Sequence, residues 1–229
     1  MLGKFFDRRR RKYSWLPRWV AIKSEKDAHP HVPEEHAEWF DAMNTGTTEL
    51  EILNWLHATI LALKPHSILE TGAADGLGTI ALATACKYNG FGLVHSVELE
   101  AERCKKLQER LDGAGLGEFA RVHQGDSRDF LRTTNLKFDM GFYDSMCELR
   151  ADEFEICLNR GIIRQIAVFH DTSPRRCETL KGWPSDEEHL EYIQRLSALG
   201  KDPRTSGSFE SPLSRGLVAI FIKPVGNGP

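Results

Sequence analysis

From Thr48 onward, the chain alternates short runs rich in β-forming residues with segments of helical periodicity. This alternation is typical of parallel strands joined by crossover helices. It predicts five parallel strands, at residues 67–70, 93–97, 119–123, 138–143 and 162–169. Two further segments, 206–213 and 216–222, have no helix between them and should form an antiparallel hairpin. The expected fold class is therefore α/β, with a doubly wound, mostly parallel seven-stranded sheet and an antiparallel terminal hairpin.

Two capping boxes indicate where helices begin. A capping box places Ser or Thr three residues before Glu or Gln, and each side chain caps a free backbone N–H of the first turn. Thr48 with Glu51, and Ser185 with Glu188, have this spacing. We therefore expect one helix to begin at Thr48 and to end before Pro65, and another to begin at Ser185.

Composition narrows the class of protein. The 229 residues are 41% hydrophobic and 28% charged, close to the averages for globular domains. We expect a single domain at residues 34–229, after an extension and linker at residues 1–33. The five cysteines show no CxxC spacing, which argues against a zinc cage or a disulfide framework and favours the reducing cytoplasm. No apolar run approaches the roughly 18 residues of a membrane span, and the N-terminus lacks a secretory signal.

The N-terminal segment differs in charge from the rest of the chain. Residues 1–26 hold nine Lys or Arg and two acidic residues, which gives this segment a charge of +7. The net charge of the chain is −3, so the remaining residues carry a charge of −10. An acidic main body argues against a nucleic-acid partner. The basic segment is interleaved with aromatic residues, as in contacts with an anionic membrane, an RNA or a partner subunit such as the second copy in a homodimer. We favour the simpler interpretation, a solvated extension that folds over its own domain.

The first predicted strand ends in a glycine-containing turn. Ligands of doubly wound sheets bind outside the carboxyl ends of the strands. This end, residues 70–78, reads ETGAADGLG, which is GxxxGxG and not the GxGxxG of dinucleotide-binding folds. Glycine lets the backbone approach a ligand closely, and the acidic Glu70 would repel a pyrophosphate but attract a cationic amine or sulfonium. The turn therefore disfavours nicotinamide dinucleotides.

Polar residues also end the other four predicted parallel strands. Glu98 ends the second, where a carboxylate can accept hydrogen bonds from two vicinal ribose hydroxyls. Asp126 and Ser127 follow the third, in position to hydrogen-bond an adenine amino group. Asp144 ends the fourth, and residues 170–172, HDT, end the fifth. Each is also typical of an ordinary turn or a solvated strand end, but five successive polar ends together indicate a binding site.

These strand ends resemble those of the class I S-adenosylmethionine-dependent methyltransferases, and among them the small-molecule O-methyltransferases similar to catechol O-methyltransferase. The resemblance covers about residues 45–174 and the terminal hairpin. It implies a Rossmann-like methyltransferase fold and S-adenosylmethionine as cofactor. The residues that it implies for cofactor binding are Glu70, Gly72, Ala73, Ala74, Gly78, Glu98, Asp126, Ser127 and Asp144.

The resemblance also implies a divalent metal such as Mg²⁺, with four candidate ligands in this chain. These candidates are Asp144, Asp171, His170 and Thr172. Carboxylates on neighbouring strand ends repel unless a cation or a shared proton lies between them. Alternatively, Asp144 faces the sulfonium and Asp171 caps the following turn. Thr172 stands where the family usually has a metal-binding Asn.

Cys147 stands where the family has a catalytic lysine, three residues after the fourth-strand acid. A thiol is a poor substitute for the lysine amine as a proton acceptor. The candidate catalytic residues are therefore Asp144 and His170, the latter as a base because its ordinary pKa near 6.5 suits the task.

Three functions remain after these considerations. The leading one is S-adenosylmethionine-dependent O-methylation of a small hydroxylated acceptor: a phenol, a sugar or a natural product. A catalytically weak methyltransferase-like binding or scaffold protein is the alternative suggested by Cys147 and the basic segment. A nucleotide-dependent oxidoreductase is disfavoured by the glycine spacing and by Glu70. We expect the loops at residues 177–184 and 201–212 to select the acceptor.

Overall fold

The computed structural model of the protein describes residues 48–172, 186–211 and 215–224. The predicted N-terminal extension and linker, the predicted helix start at Ser185 and the predicted loop at residues 177–184 lie outside these ranges. The division into residues 1–33 and 34–229 therefore stays a prediction.

The described residues form six helices and seven strands in alternation. In chain order they are α1 Leu50–Leu63, β1 Ser67–Thr71, α2 Leu77–Asn89, β2 Leu93–Glu98, α3 Ala101–Gly113, β3 Ala120–Gln124, α4 Ser127–Thr133, β4 Phe138–Tyr143, α5 Cys147–Arg160, β5 Ile163–His170, α6 Asp186–Leu199, β6 Thr205–Ser211 and β7 Leu217–Ile222. The seven predicted strands are confirmed, with boundaries shifted by at most two residues. None of the described helices is long and apolar enough to cross a bilayer.

All seven strands belong to one sheet, in the order β3-β2-β1-β4-β5-β7-β6. The first five pair in parallel, and β7 is antiparallel to both β5 and β6. The chain runs outward from β1 to β3 and then returns to lay β4 on the other side of β1. Doubly wound sheets bind ligands at such a reversal point, outside the carboxyl ends of the strands. The topology therefore indicates a ligand site at the carboxyl ends of β1 and β4.

Three helices cover each face of the sheet. One core joins α1, α2 and α3 to strand residues such as Ile68 and Val168. The other joins α4, α5 and α6 to their chain neighbours Leu69 and Phe169. Successive residues point to opposite faces of a strand, so a strand covered on both sides must be apolar throughout. This explains the continuous apolar runs that predicted parallel strands.

Two local expectations need correction. The N-cap of α1 is Glu49, one residue after the predicted Thr48, and its side chain makes no capping hydrogen bond. The Thr48 hydroxyl instead donates to Asp144 Oδ2 at 2.7 Å, so the predicted capping box is wrong. The turn expected at Asp126 and Ser127 opens α4, whose seven residues are too few to show a helical period.

Candidate active site

A cleft of about 400 Å³ lies outside the carboxyl ends of the parallel strands. This volume is within the usual range for small-molecule sites. The predicted site residues that line it are Glu70, Gly72, Ala73, Ala74, Gly78, Glu98, Asp126, Ser127, Asp144, His170 and Asp171. Thr172 is buried and is not part of the lining. The strand ends named from the sequence thus converge on one cavity.

Gly72 allows the ends of β1 and β4 to approach each other. Its φ of 77° lies in the left-handed region, and a Cβ at this position would stand 2.5 Å from the Cα of Ser145. A side chain here would separate the two strand ends. At Gly78, on the first turn of α2, a Cβ would collide with the carboxylate of Glu70. Both glycines are therefore required by packing around the cleft.

Glu98 is held rigidly at the end of β2. Its Oε2 accepts a hydrogen bond from the backbone N–H of Ala74 and its Oε1 from that of Glu100, each at 2.9 Å. A carboxylate oxygen can accept two hydrogen bonds, so one position on each oxygen remains for a ligand. This carboxylate is therefore preoriented for a ligand with two adjacent donors.

Glu70 is a buried acid at the end of β1. The hydroxyl of Ser96 donates to its Oε2 at 2.6 Å, and that of Thr79 donates to the same oxygen. Burial raises the pKa of Glu70 to about 7, since it outweighs these two hydrogen bonds, and the charges of Asp144 and Glu98 act in the same direction as burial. Glu70 is consequently close to half protonated at neutral pH.

Asp126 and Ser127 act first as structural residues. Asp126 caps α4 by accepting from the backbone N–H of Arg128 at 2.8 Å, and it also pairs with the guanidinium of Arg128. The hydroxyl of Ser127 donates to Glu153 Oε1. Both residues line the cleft while their side chains hold the start of α4 in place.

Glu153, which was not among the predicted site residues, supports the floor of the cleft. It lies on α5, is completely buried, and its Oε2 accepts from the hydroxyls of Thr71 at 2.8 Å and Ser145 at 2.9 Å. Together with the bond from Ser127, these contacts tie the end of β1 to the loop after β4 and to the start of α4. Burial raises the pKa of Glu153, which the three hydroxyl donors oppose.

Asp144 and Asp171 meet at the ends of the neighbouring strands β4 and β5, as predicted. Two guanidiniums bind them. Arg150 Nη2 lies 3.0 Å from Asp144 Oδ1 and 3.1 Å from Asp171 Oδ2. Arg215 Nε lies 2.7 Å from Asp171 Oδ1. The mutual repulsion of the two carboxylates is thus relieved by arginine side chains of this chain.

His170 lies within the same cluster and is 1% exposed. Its Nδ1 is 2.8 Å from Asp144 Oδ1 and its Nε2 is 2.6 Å from Glu49 Oε2. Burial lowers the pKa of His170, but the charges of Asp171, Glu49 and Asp144 outweigh burial and raise it to about 9. An imidazole with this pKa is mostly protonated at neutral pH, and the role of His170 as a base stays a prediction.

Glu49 completes the cluster from the N-terminus of α1. Burial raises its pKa, but His170 and Arg215 outweigh burial and bring it to about 2. Its Oε1 also accepts from the backbone N–H of Arg215 at 2.7 Å. Glu49, Asp144 and Asp171 thus oppose Arg150, Arg215 and protonated His170, three charges of each sign.

The predicted Mg²⁺ ligands fit a cation by residue type but not by arrangement. One donor atom each from Asp144, His170 and Asp171 lies within 4.8 Å of the others. However, Arg150 Nη2 stands between the two carboxylates, and the two ring nitrogens of His170 already contact Asp144 and Glu49. Thr172 lies outside the cleft lining. The group is therefore an ion-pair cluster and not a preformed metal site.

Cys147 does not replace the family lysine. It is the first residue of α5 and lies in the apolar core on one face of the sheet, 1% exposed. Cys147 is not part of the cleft lining, which agrees with the expectation that its thiol does not act as the base.

Besides Glu153, four residues in or beside the charged cluster escaped prediction: Thr48, Glu49, Arg150 and Arg215. Arg150 had a readable signal, because it falls on the inward face of α5 between Cys147 and Phe154, where a charged residue is buried only with a partner. Thr48 was interpreted as a helix cap, and Glu49 and Arg215 lie beside element ends that carry no motif.

Comparison with known proteins agrees with this geometry. A family model described as a methyltransferase domain matches residues 69–172. Among solved structures, the O-methyltransferase TomG from Streptomyces achromogenes, bound to S-adenosylmethionine, is similar over 97% of this chain and 99% of that chain, with 19% identity and a TM-score of 0.64. No curated protein sequence matches.

Two other solved structures show the same fold. The Bacillus cereus O-methyltransferase bound to S-adenosylhomocysteine is 19% identical over 78% of this chain and 84% of that chain, with a TM-score of 0.64. The Podospora anserina methyltransferase PaMTH1, also bound to S-adenosylhomocysteine, is 19% identical over 96% and 97%, with a TM-score of 0.65.

Proposed function

We propose that the chain is a class I S-adenosylmethionine-dependent methyltransferase and that it transfers the methyl group to a hydroxyl oxygen of a small molecule. The observation that carries the proposal is the carboxylate of Asp144, which is 14% exposed and lines the same cleft as Glu98. The two structural neighbours named as O-methyltransferases support oxygen as the acceptor atom.

The residues of the cleft fit the cofactor. Glu98 offers one free hydrogen-bonding position on each oxygen, which suits the two ribose hydroxyls. Glu70 offers a carboxylate to the methionine amine, and the backbone at Asp126 and Ser127 borders the adenine position. When bound, S-adenosylmethionine supplies a methyl group on a positively charged sulfur, which an acceptor oxygen can attack.

Asp144 is placed to orient the acceptor and to take its proton. Its Oδ1 is engaged by His170 and Arg150, while its Oδ2 accepts only the hydroxyl of Thr48 among the described residues. A carboxylate oxygen accepts two hydrogen bonds, so Oδ2 can also receive an acceptor hydroxyl. Holding the acceptor oxygen in line with the methyl carbon would supply most of the rate. The Asp144 carboxylate would take the hydroxyl proton as the C–O bond forms and the C–S bond of the sulfonium breaks, with S-adenosylhomocysteine as the leaving group.

Calorimetric titration with S-adenosylmethionine, S-adenosylhomocysteine and NAD tests the cofactor. We expect the first two to bind and NAD to bind at least about tenfold more weakly. Transfer of a labelled methyl group to a panel of phenols, sugars and other alcohols then tests the reaction. Binding of NAD alone would contradict the proposal, and so would labelling confined to amines or thiols.

Asp144→Asn tests the role of the carboxylate. We expect methyl transfer to fall by about 10²-fold or more, because the amide cannot accept the hydroxyl proton. The affinity for S-adenosylmethionine should stay within about threefold, because the ribose and amine contacts remain. Asp112→Asn, at the exposed end of α3, is the matched control and should leave both values unchanged. Full turnover in Asp144→Asn would remove Asp144 from the chemistry.

The raised pKa of Glu70 predicts that cofactor binding depends on pH. The folded protein holds a proton on Glu70 up to about pH 7, above the usual value for a carboxyl group. A cationic ligand favours the ionised form, so S-adenosylmethionine should bind more tightly as pH rises from about 5 to 7 and should release a proton. Calorimetry in two buffers of different ionisation enthalpy measures this release.

Glu70→Gln is the control for the pH dependence, because it keeps the side-chain size and cannot titrate. We expect the proton release to disappear in this variant. The same raised pKa means that the wild-type folding stability falls over this pH range, since the folded state binds more protons than the unfolded state. An unchanged proton release in Glu70→Gln would assign it to another group.

Two further expectations stay predictions. We place the protein in a reducing compartment such as the cytoplasm, which is consistent with the four described cysteines, all of them free. A homodimer also stays a prediction from the basic N-terminal segment.

A further inference from the structure

We propose that Arg150 takes the place of a divalent cation between the strand-end carboxylates Asp144 and Asp171, so that this chain transfers methyl groups without a metal ion. The inference rests on the proposed function in one respect, since it takes methyl transfer to be the reaction. The site of Arg150 itself follows from the geometry of the cluster.

The guanidinium of Arg150 is fixed by four acceptors. Nη2 reaches both carboxylates, Nε donates to the carbonyl of Ser145 at 2.7 Å, and Nη1 donates to the carbonyl of His170 at 2.5 Å. The side chain is 4% exposed. These contacts come from both strand ends and from the loop after β4, so the guanidinium cannot turn aside without breaking most of them. The positive charge between the carboxylates is therefore built into the fold.

A bound cation would compete for the same space. A Mg²⁺ ion held by Asp144 Oδ1 and Asp171 Oδ2 would stand about 2 Å from each oxygen. Arg150 Nη2 already lies 3.0 and 3.1 Å from these atoms. The two positions overlap, and two positive charges at such a distance repel strongly. Either the guanidinium or the metal can occupy this position, and the structure has the guanidinium.

Asp171 is also engaged on its far side. Arg215 Nε contacts its Oδ1 at 2.7 Å, so each of its oxygens faces a guanidinium. Asp171 is 1% exposed, whereas Asp144 opens to the cleft. An entering cation would meet Asp144 alone, and one carboxylate is a weak site for Mg²⁺, which sheds its water reluctantly. Arg150 thus acts as a positioning residue that holds Asp144 toward the acceptor.

Mn²⁺ is the probe for the first test, because it takes the same oxygen ligands as Mg²⁺ and is visible by electron paramagnetic resonance. Wild-type protein loaded with S-adenosylhomocysteine should leave the free Mn²⁺ signal unchanged. Methyl transfer should stay within about twofold after chelation and after addition of Mg²⁺. Mn²⁺ uptake that Asp171→Asn abolishes would overturn the inference, as would activity that chelation removes and Mg²⁺ restores.

Arg150→Met tests whether the guanidinium excludes the metal. Asp144 and Asp171 then face each other without Arg150, and we expect the variant to take up Mn²⁺ and to lose this uptake when Asp171→Asn is added. Arg195→Met, on α6, is the matched control and should take up none. A folded Arg150→Met that takes up no Mn²⁺ would also overturn the inference. If that variant does not fold, the wild-type measurement decides.

Binding of S-adenosylmethionine, measured by calorimetry on the same samples, separates the two proposals. Absence of cofactor binding contradicts the proposed function. Uptake of Mn²⁺ between Asp144 and Asp171 in the wild type contradicts the metal-free site.

Discussion

Replacing Arg150 with alanine should lower the free energy of unfolding by about 3–5 kcal/mol, the usual cost of removing one partner from a buried ion pair. The substitution leaves Asp144 and Asp171 without the guanidinium that bridges them. It also removes the Arg150 donors to the carbonyls of Ser145 and His170, the second of which still accepts from the Tyr192 hydroxyl. Arg215 and His170 still contact the carboxylates and limit the loss. Urea or thermal denaturation of the purified variant measures the change.

Arg195→Ala is a stringent control for this prediction. Arg195 also binds two carboxylates, those of Asp152 at 2.6 Å and Glu155 at 3.3 Å, but its side chain is 34% exposed. Exposed ion pairs contribute about 0–1 kcal/mol because water and salt screen them. We therefore expect a much smaller change than for Arg150→Ala. If both variants lost the same free energy of unfolding, the buried ion pairs of Arg150 would be no more stabilising than the exposed ion pairs of Arg195.

The second large effect concerns the cofactor. Glu98→Ala should weaken the binding of S-adenosylmethionine at least tenfold. It removes hydrogen bonds to a charged group, each worth about 1.5–3 kcal/mol, and 1.4 kcal/mol corresponds to a factor of ten. The loss is reinforced because Glu98 also holds the backbone N–H groups of Ala74 and Glu100. Isothermal titration calorimetry gives the dissociation constant directly.

Glu102→Ala provides the comparison for Glu98. Glu102 lies nearby on α3, is exposed and pairs only with Lys106 among the contacts described. Its replacement by alanine removes the same charge as Glu98→Ala without changing a residue that lines the cleft. Its dissociation constant should match that of the wild type. If Glu98→Ala also binds the cofactor with wild-type affinity, the assignment of Glu98 to the ribose is incorrect.

Much of the fold was predictable because its signals are local. A strand covered on both faces must be apolar along its length, so residues 138–143 and 163–170 were visible as runs. The helical face of Leu107 and Leu111 repeats every turn. The cleft was predictable for a related reason, since the carboxyl ends of parallel strands share one edge and Glu70, Glu98 and Asp144 each end a strand. Only α4 was missed, because seven residues carry no period.

The sequence by itself determined every described element except α4, that their polar ends converge, and that a cationic cofactor suits the first strand end. The tertiary structure alone decided the chemistry of the charged cluster. Thr48 has the spacing of a helix cap, yet its hydroxyl bonds Asp144, 96 residues away. The pKa of His170 is raised by Asp171, by Glu49, which is 121 residues away in sequence and 2.6 Å from the ring, and by Asp144. Protonation and pairing depend on charges within a few ångströms, and only the folded chain determines which distant residues come that close.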